Sequence, residues 1–172
     1  MMKKLFSMIG LFTGLAATGS AIEVGQPAPD LAIPSTAGRD ISLADYRGQW
    51  VVLFFYPKAF TPGCTAQACS LRDEHQAIVE AGAVILGASV DNLRTQQRFK
   101  EEHNLPFELL ADNDRELSRA MGVLALGGMI TSRTTFLINP EGNVAHILRG
   151  VNVRNHDQDI LPLLRGADES GS

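Results

Sequence analysis

The sequence predicts an α/β fold built on a central mixed sheet flanked by helices, and three stretches carry that prediction. Trp50-Val-Val-Leu-Phe-Phe-Tyr56 is an unbroken β-branched and aromatic run stopped by Pro57, the pattern of a strand buried on both faces. Val84 to Val90 is a second apolar run, with a helical stretch between the two that ends near Gly82. Strand, helix, strand implies a parallel pair joined by a crossover. Thr134 to Ile138 and Val144 to Leu148, joined by the turn Asn139-Pro-Glu-Gly-Asn143, read as an antiparallel hairpin.

The remaining elements follow in order. Residues 1–21 have a basic beginning, a short apolar middle and small residues at the end. They predict a secretory signal peptide cleaved after Ala21, or an uncleaved anchor, and so an exported chain in a bacterial periplasm. Residues 22–166 are enough for one domain. Val24-Gly-Gln-Pro-Ala-Pro-Asp30 opens it, and Leu31 to Leu43 predicts an N-terminal hairpin around Ser35-Thr-Ala-Gly38. Ala44 to Gly48 is a turn before the central strand. Asp91 is the predicted N-cap of a helix through His103. Phe107 to Leu110 is a short strand, and Arg115 to Met121 a short helix ended by Gly122. Leu124 to Ile130 is a flexible apolar loop that could border the site. Val153 to Leu164 is the closing helix, and residues 167–172 a disordered tail. A net charge of −4 without a basic cluster gives no reason to expect nucleic-acid or acidic-membrane binding.

The chemistry is placed where the central strand ends. Thr61 is a favoured N-cap and Pro62 suits the first helical position, which puts Cys64 in the first turn. Unpaired N–H groups and the helix dipole favour negative charge there, hence a thiolate. An inert core cysteine would need neither the Pro/Gly-framed turn nor the hydroxyl. Cys69 follows at i+5, turned by about 140° and raised about 7.5 Å, with Cα atoms about 8.5 Å apart. A disulfide needs them within about 7 Å, so a bond forms only if the turn unwinds. The pair therefore reads as redox-active. The helical wheel puts Cys64 with Ala68, Leu71, His75 and Ile78, and Cys69 with Arg72, Asp73, Gln76 and Glu80 toward water.

Pro57, Thr61 and Cys64, in the spacing P-x-x-x-T-x-x-C, resemble the peroxiredoxin motif. Phe60-Thr-Pro-Gly-Cys-Thr with a second cysteine five residues on resembles the bacterioferritin-comigratory or Q-type subgroup, an atypical two-cysteine group. The resemblance runs from about Val24 to Gly166. It implies a thioredoxin-like fold with an N-terminal β-hairpin extension, and reduction of hydrogen peroxide or organic hydroperoxides without a cofactor. It implies Cys64 as the peroxidatic thiol, Cys69 as the resolving one, and a thioredoxin-like dithiol as reductant. By the same resemblance Arg133 is the arginine that stabilises thiolate and peroxide, Pro57 shields the thiol from water, and Thr61 donates to thiolate or peroxide besides capping the helix. Ala59 stands where the family often has an acidic residue. An intramolecular resolving cysteine does not require a dimer, so a monomer is expected.

Two alternatives stand beside this. Cys64 and Cys69 with His75, His103, His146 or His156 could hold copper or zinc in an exported protein, although the cysteines point to different helical faces. A thiol-disulfide oxidoreductase would place C-x-x-C at the helix start, and this chain has no such motif.

Overall fold

The computed structural model describes residues 20–169. Of the predicted leader only Ser20 and Ala21 fall inside that range; residues 1–19 and 170–172 lie outside it. The N-terminal hairpin pairs β1 (Ile33–Pro34) with β2 (Asp40–Ile41). A 3-10 turn at Leu43–Tyr46 follows, closed by Ser42 and Asp45 in a capping box. Then come β3 (Trp50–Phe55), α1 (Pro62–Asp73), α2 (His75–Glu80), β4 (Ala83–Ser89), α3 (Leu93–Glu102), β5 (Glu108–Ala111) and α4 (Glu116–Ala120). The chain closes with the small hairpin β6 (Leu124–Ala125) and β7 (Ile130–Thr131), the strands β8 (Thr134–Ile138) and β9 (Val144–Arg149), and α5 (His156–Glu169).

The main sheet has five strands in the order β5-β4-β3-β8-β9. β3 is central, parallel to β4 and antiparallel to β8, so the sheet is mixed as expected. Alternate residues of β3 serve opposite faces, which is why the run carries no polar alternation. Val51, Leu53 and Phe55 pack with Phe136, Ile138, Leu117 and the N-terminal hairpin. Val52, Phe54 and Tyr56 pack on the other face with residues of α1, α2, α3 and α5, among them Cys64, Leu71, Ile78, Phe99 and Ile160. Gly87 in β4 is required by this packing: a Cβ there would lie 2.7 Å from Leu109 and 2.8 Å from Phe54.

Four local expectations are corrected. The helix predicted to run to Gly82 breaks at Glu74, where φ is −102° and ψ 12°; Leu71 and Ile78 both stay buried, so the apolar phase survives the break and could not signal it. The N-cap of α3 is Asn92, which accepts from the Thr95 N–H at 2.9 Å, and Asp91 is freed for another contact. The loop over Leu124 to Ile130 is a paired hairpin turning through Gly127 at φ 66°. The closing helix runs to Glu169, into the tail expected to be disordered, because Gly166 keeps helical backbone and does not terminate it.

Candidate active site

β3 ends beneath the site. Its continuation, Tyr56, is fully buried, its hydroxyl donating to Gln96 Oε1 and its carbonyl accepting from Thr131 Oγ1 at 2.8 Å. The second bond sets the base of the β6-β7 hairpin against the strand end. Pro57, half-buried, then opens a short loop. That loop is held by Asp91, whose carboxylate accepts from the Ala59 N–H at 2.9 Å and from Ser89 Oγ at 2.7 Å. Asp91, expected as a cap, is thus an anchor for the loop. Phe60 takes the left-handed conformation at φ 66°, a costly state for an aromatic residue, and stacks edge-on against Phe99.

Thr61 occupies the N-cap position but makes no capping bond through its side chain. This corrects its expected role: the hydroxyl donates instead to the Lys58 carbonyl at 2.7 Å. A proton committed there is not offered to Cys64, and the oxygen's lone pairs remain able to accept. Pro62 takes the first helical position as expected.

Cys64 is 1% exposed in the first turn of α1. Arg133, just ahead of β8, reaches across from the sheet: Nη2 donates to Cys64 Sγ at 3.5 Å and Nη1 to Gln67 Oε1 at 2.7 Å. The guanidinium fork therefore spans the thiol and a buried acceptor on the same helix. Gly63 makes room for it, since a Cβ there would sit 3.1 Å from Nη2. Gln67 is fully buried, and its Nε2 has no partner among the described residues. Nothing in the sequence marks Gln67 beyond its spacing of three from Cys64, one helical turn on.

Cys69 is unbonded and half-buried, not turned freely to water. The residue after it meets α5, which packs against α1. Ser70 Oγ accepts from the His156 N–H and donates to Asp157 Oδ1, both at 3.2 Å. On the other side Arg72 Nη1 donates to the His103 carbonyl at 2.9 Å. His156 itself is buried beside the site, with Nε2 2.8 Å from Thr135 Oγ1. Burial lowers its pKa to about 4, against the raising pull of the Asp157 carboxylate and with the smaller help of the Arg133 charge, so the imidazole is neutral.

Among the described residues no three His, Cys, Asp or Glu side chains group to hold a metal ion. His75 lies in α2 against Phe107 and His103 against Phe99, so the metal-binding alternative has no assembled site. None of the described helices is long and apolar enough to cross a membrane.

Residues 24–147 match the AhpC/TSA family. Peroxiredoxin Bcp of Bacillus subtilis is 43% identical over 154 residues, covering 86% of this chain and 98% of that protein. Peroxiredoxin Bcp of Escherichia coli is 35% identical over 150 residues, covering 84% and 96%. Among solved structures, peroxiredoxin Q of Xanthomonas campestris superposes with a TM-score of 0.76 at 32% identity, covering 83% of this chain and 97% of that one. The bacterioferritin comigratory protein of the same organism, solved in complexes that address its alkyl peroxide reduction activity, gives 0.77 at 31% identity, covering 84% and 99%. The fold is therefore thioredoxin-like, and the chain belongs to the AhpC/TSA family as a peroxiredoxin of the Bcp or Q type, a thiol-dependent peroxidase.

Proposed function

We propose that Cys64 is the peroxidatic thiolate and Cys69 its intramolecular resolving partner, acting on hydrogen peroxide and organic hydroperoxides. The observation that carries this reading is the Arg133 guanidinium 3.5 Å from Cys64 Sγ at the N-terminal turn of α1. Positive charge from the fork and from the helix end favours the departing oxygen anion as the O–O bond breaks. The attacking sulfur takes one peroxide oxygen and becomes a sulfenic acid; the other leaves, protonated, as water or an alcohol. Thr61, its own proton held by Lys58, accepts a hydrogen bond from the peroxide hydroxyl and so aligns the O–O bond with sulfur. Pro57 and the loop pinned by Asp91 keep solvent from the thiol. The Cys69 thiol then condenses with the sulfenic acid, releasing water and forming the disulfide, which a thioredoxin-like dithiol reduces by exchange.

The alkyl peroxide activity of the Xanthomonas campestris relative supports including organic hydroperoxides. Because both cysteines belong to one helix, the cycle needs no second subunit, and the working unit is a monomer. Residues 1–21 act as an export leader into the periplasm. Supporting this, the proposed mature chain is held to the core from its first residues: Ile22 is buried, and Gly25 N–H donates to the Val144 carbonyl at 2.7 Å. Exported protein should begin at Ile22 on N-terminal sequencing; a retained Met1 in that fraction refutes cleavage.

Steady-state peroxide consumption with thioredoxin and its reductase as electron source tests the cycle. The wild-type chain turns over, Cys64→Ser does not, and Cys69→Ser loses turnover with the protein dithiol. Undiminished turnover by Cys69→Ser would remove the resolving step.

A further inference from the structure

Resolution requires α1 to unwind between Cys64 and Cys69, since an i to i+5 pair on a helix lies beyond disulfide reach, and unwinding from the Cys69 end moves the turn that carries it. What holds that turn in place decides how fast the sulfenic acid is resolved. Ser70, the residue after Cys69, is half-buried and joins α1 to the first turn of α5 by two bonds of opposite sense. It accepts from the His156 backbone N–H and donates to the Asp157 carboxylate, each at 3.2 Å. The His156 N–H is one of the orphan donors of a helix start, so the hydroxyl supplies a partner from another element. His156 is itself fixed by burial and by Thr135 on β8. The anchor is therefore held to the sheet as well as to α1, and the latch opens when α1 lets go.

We infer that Ser70 is a latch: it ties the Cys69 turn of α1 to the start of α5, and its release sets the rate at which Cys69 reaches Cys64. This rests on Cys69 being the resolving thiol. Until the latch opens, the Cys64 sulfenic acid stays in its pocket, where a second peroxide can oxidise it to the sulfinic acid with loss of water or alcohol. The latch thus sets the balance between disulfide and overoxidised enzyme. Opening before condensation acts as a pre-equilibrium, so a weaker latch raises the observed resolution rate by the same factor as the opening constant. Loss of the hydroxyl removes one bond to a neutral donor and one to a charged acceptor, both long and partly replaced by water, and corresponds to about tenfold.

The experiment is rapid quench of the reduced full chain with hydrogen peroxide, followed by intact-mass counting of thiol, sulfenic, disulfide and sulfinic forms. Ser70→Ala should leave Cys64 oxidation within twofold of wild type, speed disulfide formation about tenfold, and lower the sulfinic fraction at a given peroxide concentration in proportion. Ser70→Thr, which keeps a hydroxyl, should return both toward wild type. Asp157→Ala, which removes the acceptor and leaves α1 untouched, should speed disulfide formation severalfold and carries the test if Ser70→Ala folds poorly. Disulfide formation within twofold of wild type in these folded variants overturns the latch alone. Failure of the wild-type chain to form the disulfide at all overturns the role of Cys69, and the latch with it.

Discussion

Replacing Gln67 by Met should cut the rate of Cys64 oxidation without a matching loss of stability. Gln67 Oε1 is the acceptor for Arg133 Nη1 at 2.7 Å, while Nη2 of the same fork faces Cys64 Sγ. A hydrogen bond to a charged partner is worth about 1.5 to 3 kcal/mol, or about tenfold to about 150-fold if all of it goes into holding the fork. Arg133 is only half-buried, so water replaces part of that bond and the expected loss lies near the tenfold end. Stability moves differently. Gln67 Nε2 is buried without a partner, and a stranded donor costs about 1 to 3 kcal/mol. Methionine removes that donor along with the bond and fills a similar volume. The variant should therefore unfold in urea within about 1 kcal/mol of wild type while its second-order rate with hydrogen peroxide drops about tenfold. An unchanged rate in a stable variant would show that Gln67 does not orient the arginine.

Two further outcomes follow from the same geometry. Gly63→Ala places a Cβ 3.1 Å from Arg133 Nη2, displaces the guanidinium by a few tenths of an ångström and should slow Cys64 oxidation about threefold to tenfold; an undiminished rate in rapid-quench experiments would show that the fork tolerates the shift. His156 links stability to pH. Its folded pKa is about 4, against about 6.5 unfolded, so between these values the unfolded chain holds more protons. Its contribution is complete above about pH 6.5 and is lost as pH falls through 4, amounting to about 3 kcal/mol in all and about 2 kcal/mol between pH 7.5 and 5. Urea midpoints should show that slope, and His156→Gln should flatten it; an equal slope in the variant would place the pH dependence elsewhere.

The sheet was legible because its strands are pure apolar runs: Trp50 to Tyr56 could hardly sit anywhere but in the centre, and the turn at Asn139 to Asn143 set the antiparallel edge. Cys64 and its helix start were equally plain in Thr61-Pro62-Gly63. What escaped were contacts between residues far apart in sequence. Nothing local to Asp91 says that its carboxylate will take the N–H of Ala59, 32 residues earlier. The Thr61 hydroxyl, sequence-wise a cap, is drawn off by a carbonyl three residues back, a competition that propensity does not rank. Ser70, beside the half-buried Cys69, meets α5 where it returns to α1, and no helical wheel drawn from α1 alone contains α5. Arg133 was found through its resemblance to a motif, whereas Gln67, its acceptor, needed the fold to bring β8 against α1.

The central claim is that a buried, arginine-paired Cys64 attacks peroxide and Cys69 resolves it. Its most direct test is anaerobic mixing of fully reduced protein with one equivalent of hydrogen peroxide, with thiols counted against time. The account predicts rapid loss of two thiols per chain, of one thiol with a trappable sulfenic acid in Cys69→Ser, and no rapid loss in Cys64→Ser. Oxidation at the slow pace of a free cysteine, or rapid loss that survives Cys64→Ser, would contradict it.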